Sequence, residues 1–273
     1  MNALETTKSE AVLFLTHVWS EDLARRFIAI RQATINTMQC YVLVDAADSE
    51  VLDSWRNYLG KLGIGSHIFL FDVNQIEASL GYDCFIKGKL VPGSAHYPVL
   101  NFWKSFNYER YWVIEFDVLL AGEWSSFFKL FEHDQSDLLL SHLTTYEMQP
   151  AWGWWASVRV PFKILSKISK EDYKFLQKGF FPIYRISHQA LSAIDSGHSE
   201  GWQGHFEAVL PTLLNNKQLS IKDFNDVADL YFKGPIGPND GNPPFSSLRW
   251  RPEVELDELN VSVGLKLFHP VKS

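Results

Sequence analysis

Three short apolar runs, each followed by a stretch with helical spacing, open this chain of 273 residues, and no other feature narrows its fold as far. Residues 11–16 (AVLFLT), 40–44 (CYVLV) and 67–71 (HIFLF) are largely apolar instead of alternating, the pattern of strands covered on both faces. After the first run, Ser20 stands where a helix cap belongs, and Leu23, Phe27, Ile30 and Thr34 fall on one stripe. After the second, a helix from about Ser49 turns Val51, Leu52, Trp55, Leu59 and Leu62 inward and stops near Gly63. Strand and helix alternating at this pace mean parallel βαβ units. The expectation is an α/β fold with a mostly parallel central sheet, and ligands at the carboxyl ends of its strands.

The remainder continues the theme. A helix over 99–108 leads into a strand over 111–120 (YWVIEFDVLL), which Gly122 breaks. A helix over 125–132 and a buried strand over 137–141 follow. The stretch 149–161 concentrates Trp152, Trp154 and Trp155 around Gly153. Residues 180–186 (FFPIYRI) read as a strand, and Ser187 starts a helix with Leu191 and Ile194 inward. Another helix lies within 201–215, a Gly/Pro cluster over 234–244 marks an exposed loop, and a last strand spans 261–268. With no internal repeat and no shift in composition, one domain is expected.

Composition excludes several classes. With 46% hydrophobic and 21% charged residues, there is too much to bury for a disordered chain. No apolar run approaches the about 18 residues that a membrane helix needs, so a soluble protein is expected. A net charge of −7 argues against a general nucleic-acid binder. Cys40 and Cys84 make neither a disulfide framework nor a metal knuckle. The N-terminus MNALETTKSE lacks the basic and then hydrophobic character of a secretory signal, so a cytoplasmic location is expected and the sequon at 260–262 carries no weight. The 10 Trp belong mostly to core, although a surplus of indoles also suits stacking on sugar rings.

Glu115-Phe116-Asp117 places two carboxylates in an apolar strand. Residues i and i+2 share a face, roughly 7 Å apart. Two like charges there are costly unless compensated, and a hard divalent ion holding a diphosphate is a natural compensator. The alternative is one carboxylate capping the next helix while the other meets an arginine.

The same segment, YWVIEFDVLLAGEW, resembles the strand bearing the acidic DxD signature of GT-A nucleotide-sugar glycosyltransferases, with Glu115 in place of the first Asp. The three earlier βαβ strands and the preceding helix are also similar to that fold's nucleotide-binding half. The chain most resembles an uncharacterised group of bacterial GT-A-like proteins ending in His-Pro-Val-Lys. The resemblance implies a three-layer GT-A-like sandwich, with residues 1–145 as nucleotide-binding half and 146–273 as acceptor-side half. It implies Mn²⁺ or Mg²⁺ held by Glu115, Asp117 and His269, with Lys272 on the leaving diphosphate. Thr16, His17 and Asp45 end the first two strands, where the nucleoside would lie; a helix cap is an equal alternative for Asp45. Glu207 matches the carboxylate that these enzymes present as general base, the alternative being a charge that complements a helix dipole. Trp152, Trp154 and Trp155 suit an acceptor platform, and Arg185 and His188 are expected in the same cleft.

The expected function is sugar transfer from a nucleotide-sugar donor to a carbohydrate or glycoconjugate acceptor, without nucleic acid. The alternatives are a non-catalytic carbohydrate- or nucleotide-sugar-binding protein on the same fold, and a nucleotidyltransferase. Residues 60–65 (GKLGIG) follow a helix and lack GK[ST], so they form a helix stop and not a phosphate loop. His198, Glu200, His205 and Glu207 lack the HExxH spacing of a zinc site, and no Gly-x-Ser-x-Gly elbow occurs.

Overall fold

The alternation of apolar runs and amphipathic stretches becomes a seven-stranded sheet in a computed structural model that describes residues 9–85, 93–161, 175–234, 245–260 and 264–272. In chain order the elements are β1 (Glu10–Leu15), α1 (Glu21–Ala33), β2 (Met38–Asp45), α2 (Ser49–Lys61), β3 (Ile68–Phe71), α3 (Ile76–Leu80) and α4 (Tyr97–Ser105). Then come β4 (Arg110–Glu115), β5 (Leu119–Ala121), α5 (Trp124–Lys129), β6 (Leu138–Thr145), β7 (Gln177–Ser187) and α6 (His188–Ser199). The last are α7 (Phe206–Asn216), β8 (Ile221–Asp223), α8 (Leu256–Asn260) and β9 (Lys266–Phe268). Local chemistry sets the helix starts. Ser20 accepts from Leu23 N, Asp48 from Val51 N and Ser187 from Ala190 N, each satisfying a donor that the first turn cannot.

The strand order is β3-β2-β1-β4-β7-β6-β8, and every strand runs parallel to β1 except β7. The fold is therefore the expected α/β class with a mostly parallel sheet. Helices cover both faces. Leu23 and Phe27 of α1, Trp55 of α2 and Phe127 of α5 pack on one side. Leu100 and Phe102 of α4, Leu191 of α6 and Val209 of α7 pack on the other. Among the described residues no helix is long and apolar enough to cross a membrane.

Two expectations need correction. The strand expected over 111–120 ends at Glu115: Val118 N donates to Glu115 O at 3.0 Å, turning the chain before β5. The last strand is described only as Lys266–Phe268, and it pairs antiparallel with β5 outside the main sheet. Residues 86–92, 162–174, 235–244 and 261–263 lie outside the described residues, and with them most of the Gly/Pro cluster and the last two positions of the sequon.

Candidate metal centre and its surroundings

The strand order reverses between β1 and β4. The chain builds β1, β2 and β3 outward in one direction, then returns to place β4 on the other side of β1. The two crossovers leave in opposite directions there, so a crevice opens beyond the carboxyl ends of these strands. Leu15 is level with Glu115, so Thr16 and His17 face that crevice edge from β1 and Glu115 from β4.

Phe116 N donates to Leu15 O at 3.1 Å, and Val271 N donates to Asp117 O at 2.9 Å. The turn after β4 is thus held from both sides. The second tether and the β5–β9 pairing carry His269 back to the turn. His269 Nε2 lies 3.3 Å from Asp117 Oδ1 and 3.6 Å from Glu115 Oε2. One ligand atom from each of the three residues falls within 4.8 Å of the other two, closer than strand periodicity alone would bring the carboxylates. Among the described residues this is the one cluster that could hold a metal ion.

The donor set fits a hard divalent cation. His269 Nδ1 is 2.8 Å from Arg249 O, and a carbonyl only accepts, so Nδ1 carries the proton and a neutral ring turns its Nε2 lone pair toward two carboxylates. Asp117 Oδ1 is buried without a hydrogen-bond partner. Left alone, the cluster corrects its charge with a proton. Burial pushes the His269 imidazole down, but the two carboxylates outweigh it and raise it to about 10. Glu115 is pushed up, chiefly by burial, with Asp117 adding to the effect and His269 opposing it. Two oxygens and one imidazole nitrogen of net charge −2 would balance Mn²⁺ or Mg²⁺.

A second group of polar residues borders this centre. Gly204 has φ +142°, and a Cβ there would lie 2.8 Å from Ser157 O, so only glycine lets the 153–158 turn approach the start of α7. His205 N donates to Ser157 Oγ at 2.9 Å. Glu207 then sits in the first turn of α7, its Oε2 3.8 Å from His205 Nδ1. Burial pushes its carboxyl up to about 8, Lys178 opposes the rise, and Glu115 and His269 also act on it. Lys178 is itself buried, with Nζ 4.9 Å from the Trp152 ring centroid. Burial lowers its ammonium, and Glu207 resists that.

The other sequence-selected residues divide. His17 is exposed, its ring edge-on to Phe116 at 4.9 Å. Thr16 Oγ1 is engaged with the backbone of Val18, and Asp45 Oδ1 accepts from Ala47 N and Val73 N. Asp45 is not a helix cap, since Asp48 caps α2; its carboxylate instead shapes the turn after β2. Lys272 is 78% exposed and pairs with Glu253 at 2.6 Å. Trp152 and Trp155 are buried, and Trp155 Nε1 donates to Gln149 O. Only Trp154 of the three presents a largely exposed ring, 4.7 Å from His205.

Arg185 and His188 do not join the cleft. Because β7 runs against its neighbours, its last residues lie at the amino end of β4, where Trp112 is level with Arg185. Arg185 is 1% exposed and donates to Phe131 O and to Asp134 Oδ1, and His188 Nδ1 accepts from Trp103 Nε1 at 3.1 Å. The same reversal brings Lys178, near the start of β7, to the site end. Sequence reasoning missed Lys178, although a lone lysine in the strand 177–187 is the same signal as Glu115 in β4. It also missed Arg249, whose carbonyl orients His269.

No family model matches the chain, and no curated protein sequence does. Solved structures do. An inositol-1-phosphate CTP transferase from T. maritima aligns at 12% identity over 80% of this chain and 85% of that one, with a TM-score of 0.41. The galactosyltransferase LgtC with donor and acceptor sugar analogues aligns at 13% over 78% and 72%, TM-score 0.39. Glucosyl-3-phosphoglycerate synthase from Mycobacterium tuberculosis, in complex with Mn²⁺, UDP and glucosyl-3-phosphoglycerate, aligns at 13% over 79% and 69%, TM-score 0.43. At such scores the likeness is one of general layout, and it transfers neither a residue role nor a reaction.

Proposed function

We propose that this chain is a metal-dependent glycosyltransferase that moves a sugar from a nucleoside-diphosphate donor to an acceptor hydroxyl. The observation that carries the reading is the convergence of Glu115, Asp117 and His269 where the strand order reverses. Glu115, Asp117 and His269 would hold Mn²⁺ or Mg²⁺, which would supply positive charge to the diphosphate as it leaves. Thr16, His17 and the turn shaped by Asp45 line the donor side at the ends of β1 and β2. Lys272 follows Val271, which is tethered to Asp117, so its ammonium can exchange Glu253 for a donor phosphate. Glu207 takes the acceptor proton. In an inverting transfer the acceptor oxygen bonds the anomeric carbon, the carbon–phosphate oxygen bond breaks with its electron pair leaving on the diphosphate, and the proton ends on the carboxylate. Trp154 offers a ring face for the acceptor.

The test supplies UDP-, GDP- and dTDP-hexoses with a panel of sugar acceptors, with Mn²⁺ or with a chelator. The reading expects Mn²⁺-dependent release of nucleoside diphosphate. Pyrophosphate release from a nucleoside triphosphate and a sugar phosphate would assign the site to nucleotidyl transfer instead. Saturable donor binding with no product would leave a binding protein.

A further inference from the structure

The candidate metal centre leans on a strap of chain that supplies none of its ligands, and a buried histidine outside the centre helps to hold that strap. Residues 246–249 run beside His269: His269 N donates to Ser247 O at 2.9 Å, Arg249 N to His269 O at 3.1 Å, and His269 Nδ1 to Arg249 O at 2.8 Å. The Arg249 guanidinium closes the strap on itself. Its five N–H groups reach Pro252 O, Ser246 O, Glu253 O and both oxygens of Glu258.

Phe232 exchanges hydrogen bonds with Ser246 and Ser247, and His142 ties the strap to the sheet. His142 lies in β6 within the shift of register between Ser141 and Thr144 against β7, is buried, and has φ 53°, a conformation that residues other than glycine avoid. Such outliers persist where the surroundings over-determine them. Here the backbone N donates to Tyr231 Oη at 2.9 Å, that hydroxyl is held by Asp223, and Leu143 N donates to the same carboxylate. The conformation aims Nε2 at Leu248 O, 2.7 Å away, with Ser246 Oγ at 3.0 Å. A carbonyl cannot donate, so Nε2 carries the proton. Leu248 O is the carbonyl immediately before the one that receives the His269 proton. Phe180 packs against both imidazoles, with ring centroids 6.3 Å from His142 and 5.3 Å from His269.

We propose that His142 is a positioning residue for the metal centre: its Nε2–H holds the 246–249 strap so that Arg249 O fixes the His269 tautomer and leaves Nε2 as the ligand. The inference rests on the metal-binding reading of Glu115, Asp117 and His269. It asks nothing of the transfer reaction, so it can be measured on the chain and Mn²⁺ alone.

The experiment compares His142→Gln with His142→Asn. Both are amides, and Asn tolerates the left-handed backbone well. A Gln amide nitrogen reaches about where Nε2 stands, whereas the Asn amide is one bond too short. Mn²⁺ affinity is read from the electron paramagnetic resonance of the free ion, beside the melting temperature. Partners of metal-ligating histidines typically contribute about 10- to 100-fold in affinity. His142→Gln should therefore bind within threefold of the parent and His142→Asn at least tenfold more weakly. Equal affinity in the parent and His142→Asn, or equal loss in both variants, overturns the proposal. A parent that binds no Mn²⁺ overturns the metal reading and this inference together. Should the variants fail to fold, the long-range ¹H–¹⁵N spectrum of the unaltered chain with Mg²⁺ decides. The proposal expects His142 protonated at Nε2 and His269 at Nδ1, and a proton on His142 Nδ1 overturns it.

Discussion

The two ends of the central sheet both bury charge, and they resolve it in opposite ways. At the amino end Arg185 meets Asp134 at 2.6 Å, Lys222 meets the other oxygen of Asp134 at 2.7 Å, and Ser136 N donates to the same carboxylate. Although burial opposes it, this set of donors holds Asp134 down at about 2. The Asp134 carboxylate finds its complement within the chain. At the carboxyl end two carboxylates share a single imidazole, with His269 Nε2 3.3 Å from Asp117 Oδ1 and 3.6 Å from Glu115 Oε2. Among the described residues several donors meet the Asp134 carboxylate, whereas Glu115 and Asp117 share one imidazole. That difference supports the proposed reading, in which a cation would complete the acidic cluster.

If so, damage at the two ends should separate. The largest effect belongs to Glu207→Gln, which keeps shape but cannot accept a proton. Transfer should fall by about 10²- to 10⁴-fold while donor affinity stays within a few-fold, as initial rates beside donor Kd would read. Loss of both would make Glu207 a structural group or a metal ligand. Next is Arg185→Met, which removes the buried donor from Asp134 and leaves that carboxylate to Lys222 and Ser136. Denaturant unfolding should show a loss of about 1–3 kcal/mol with Mn²⁺ affinity unchanged. A changed metal affinity would break the comparison.

The pH profile sharpens it further. Burial lifts Glu207 to about 8 from 4.5, so its base form appears only as pH rises through about 8, and transfer should climb there. Lys178 opposes the lift, so Lys178→Met should move that limb to higher pH; an unmoved limb would detach the two. The stability sign follows from the same shift. The contribution of a carboxyl raised in the folded state is complete below pH 4.5 and is lost as pH rises through about 8, so Glu207→Gln should gain on the parent in alkali. The smallest effect is expected from Lys272→Ala. An exposed ammonium is worth about 1 kcal/mol or less, so donor Kd should rise by about fivefold or less, and no change would leave Lys272 to Glu253.

Much of this was legible in the sequence. Continuous apolar runs announced β1, β2 and β3, and the caps at Ser20 and Ser187 were readable because their side chains act within three residues. Glu115 and Asp117 stood out because apolar strands do not hold carboxylates without reason. Strand direction was not legible. Nothing in FFPIYRI says that β7 runs backward, so Arg185 and His188 were expected at the wrong end and Lys178 passed unnoticed. The turn that ends β4 at Glu115, and the three-residue pairing of β5 with β9, depend on contacts about 150 residues apart in sequence, beyond the reach of local periodicity. The three-tryptophan platform failed for a related reason. Whether an indole faces core or solvent is set by how the 153–158 turn packs on α7, and only Trp154 faces out.

The central claim is that Glu115, Asp117 and His269 form a divalent-metal centre that the donor requires. Mn²⁺ titration followed by electron paramagnetic resonance, with and without a nucleotide sugar, tests it most directly on the parent and Asp117→Asn. The account predicts one Mn²⁺ per chain in the parent, tighter with donor present, and loss of both metal and donor binding in Asp117→Asn with its melting temperature retained. Equal Mn²⁺ binding by the two proteins, or donor affinity indifferent to the metal, would contradict it.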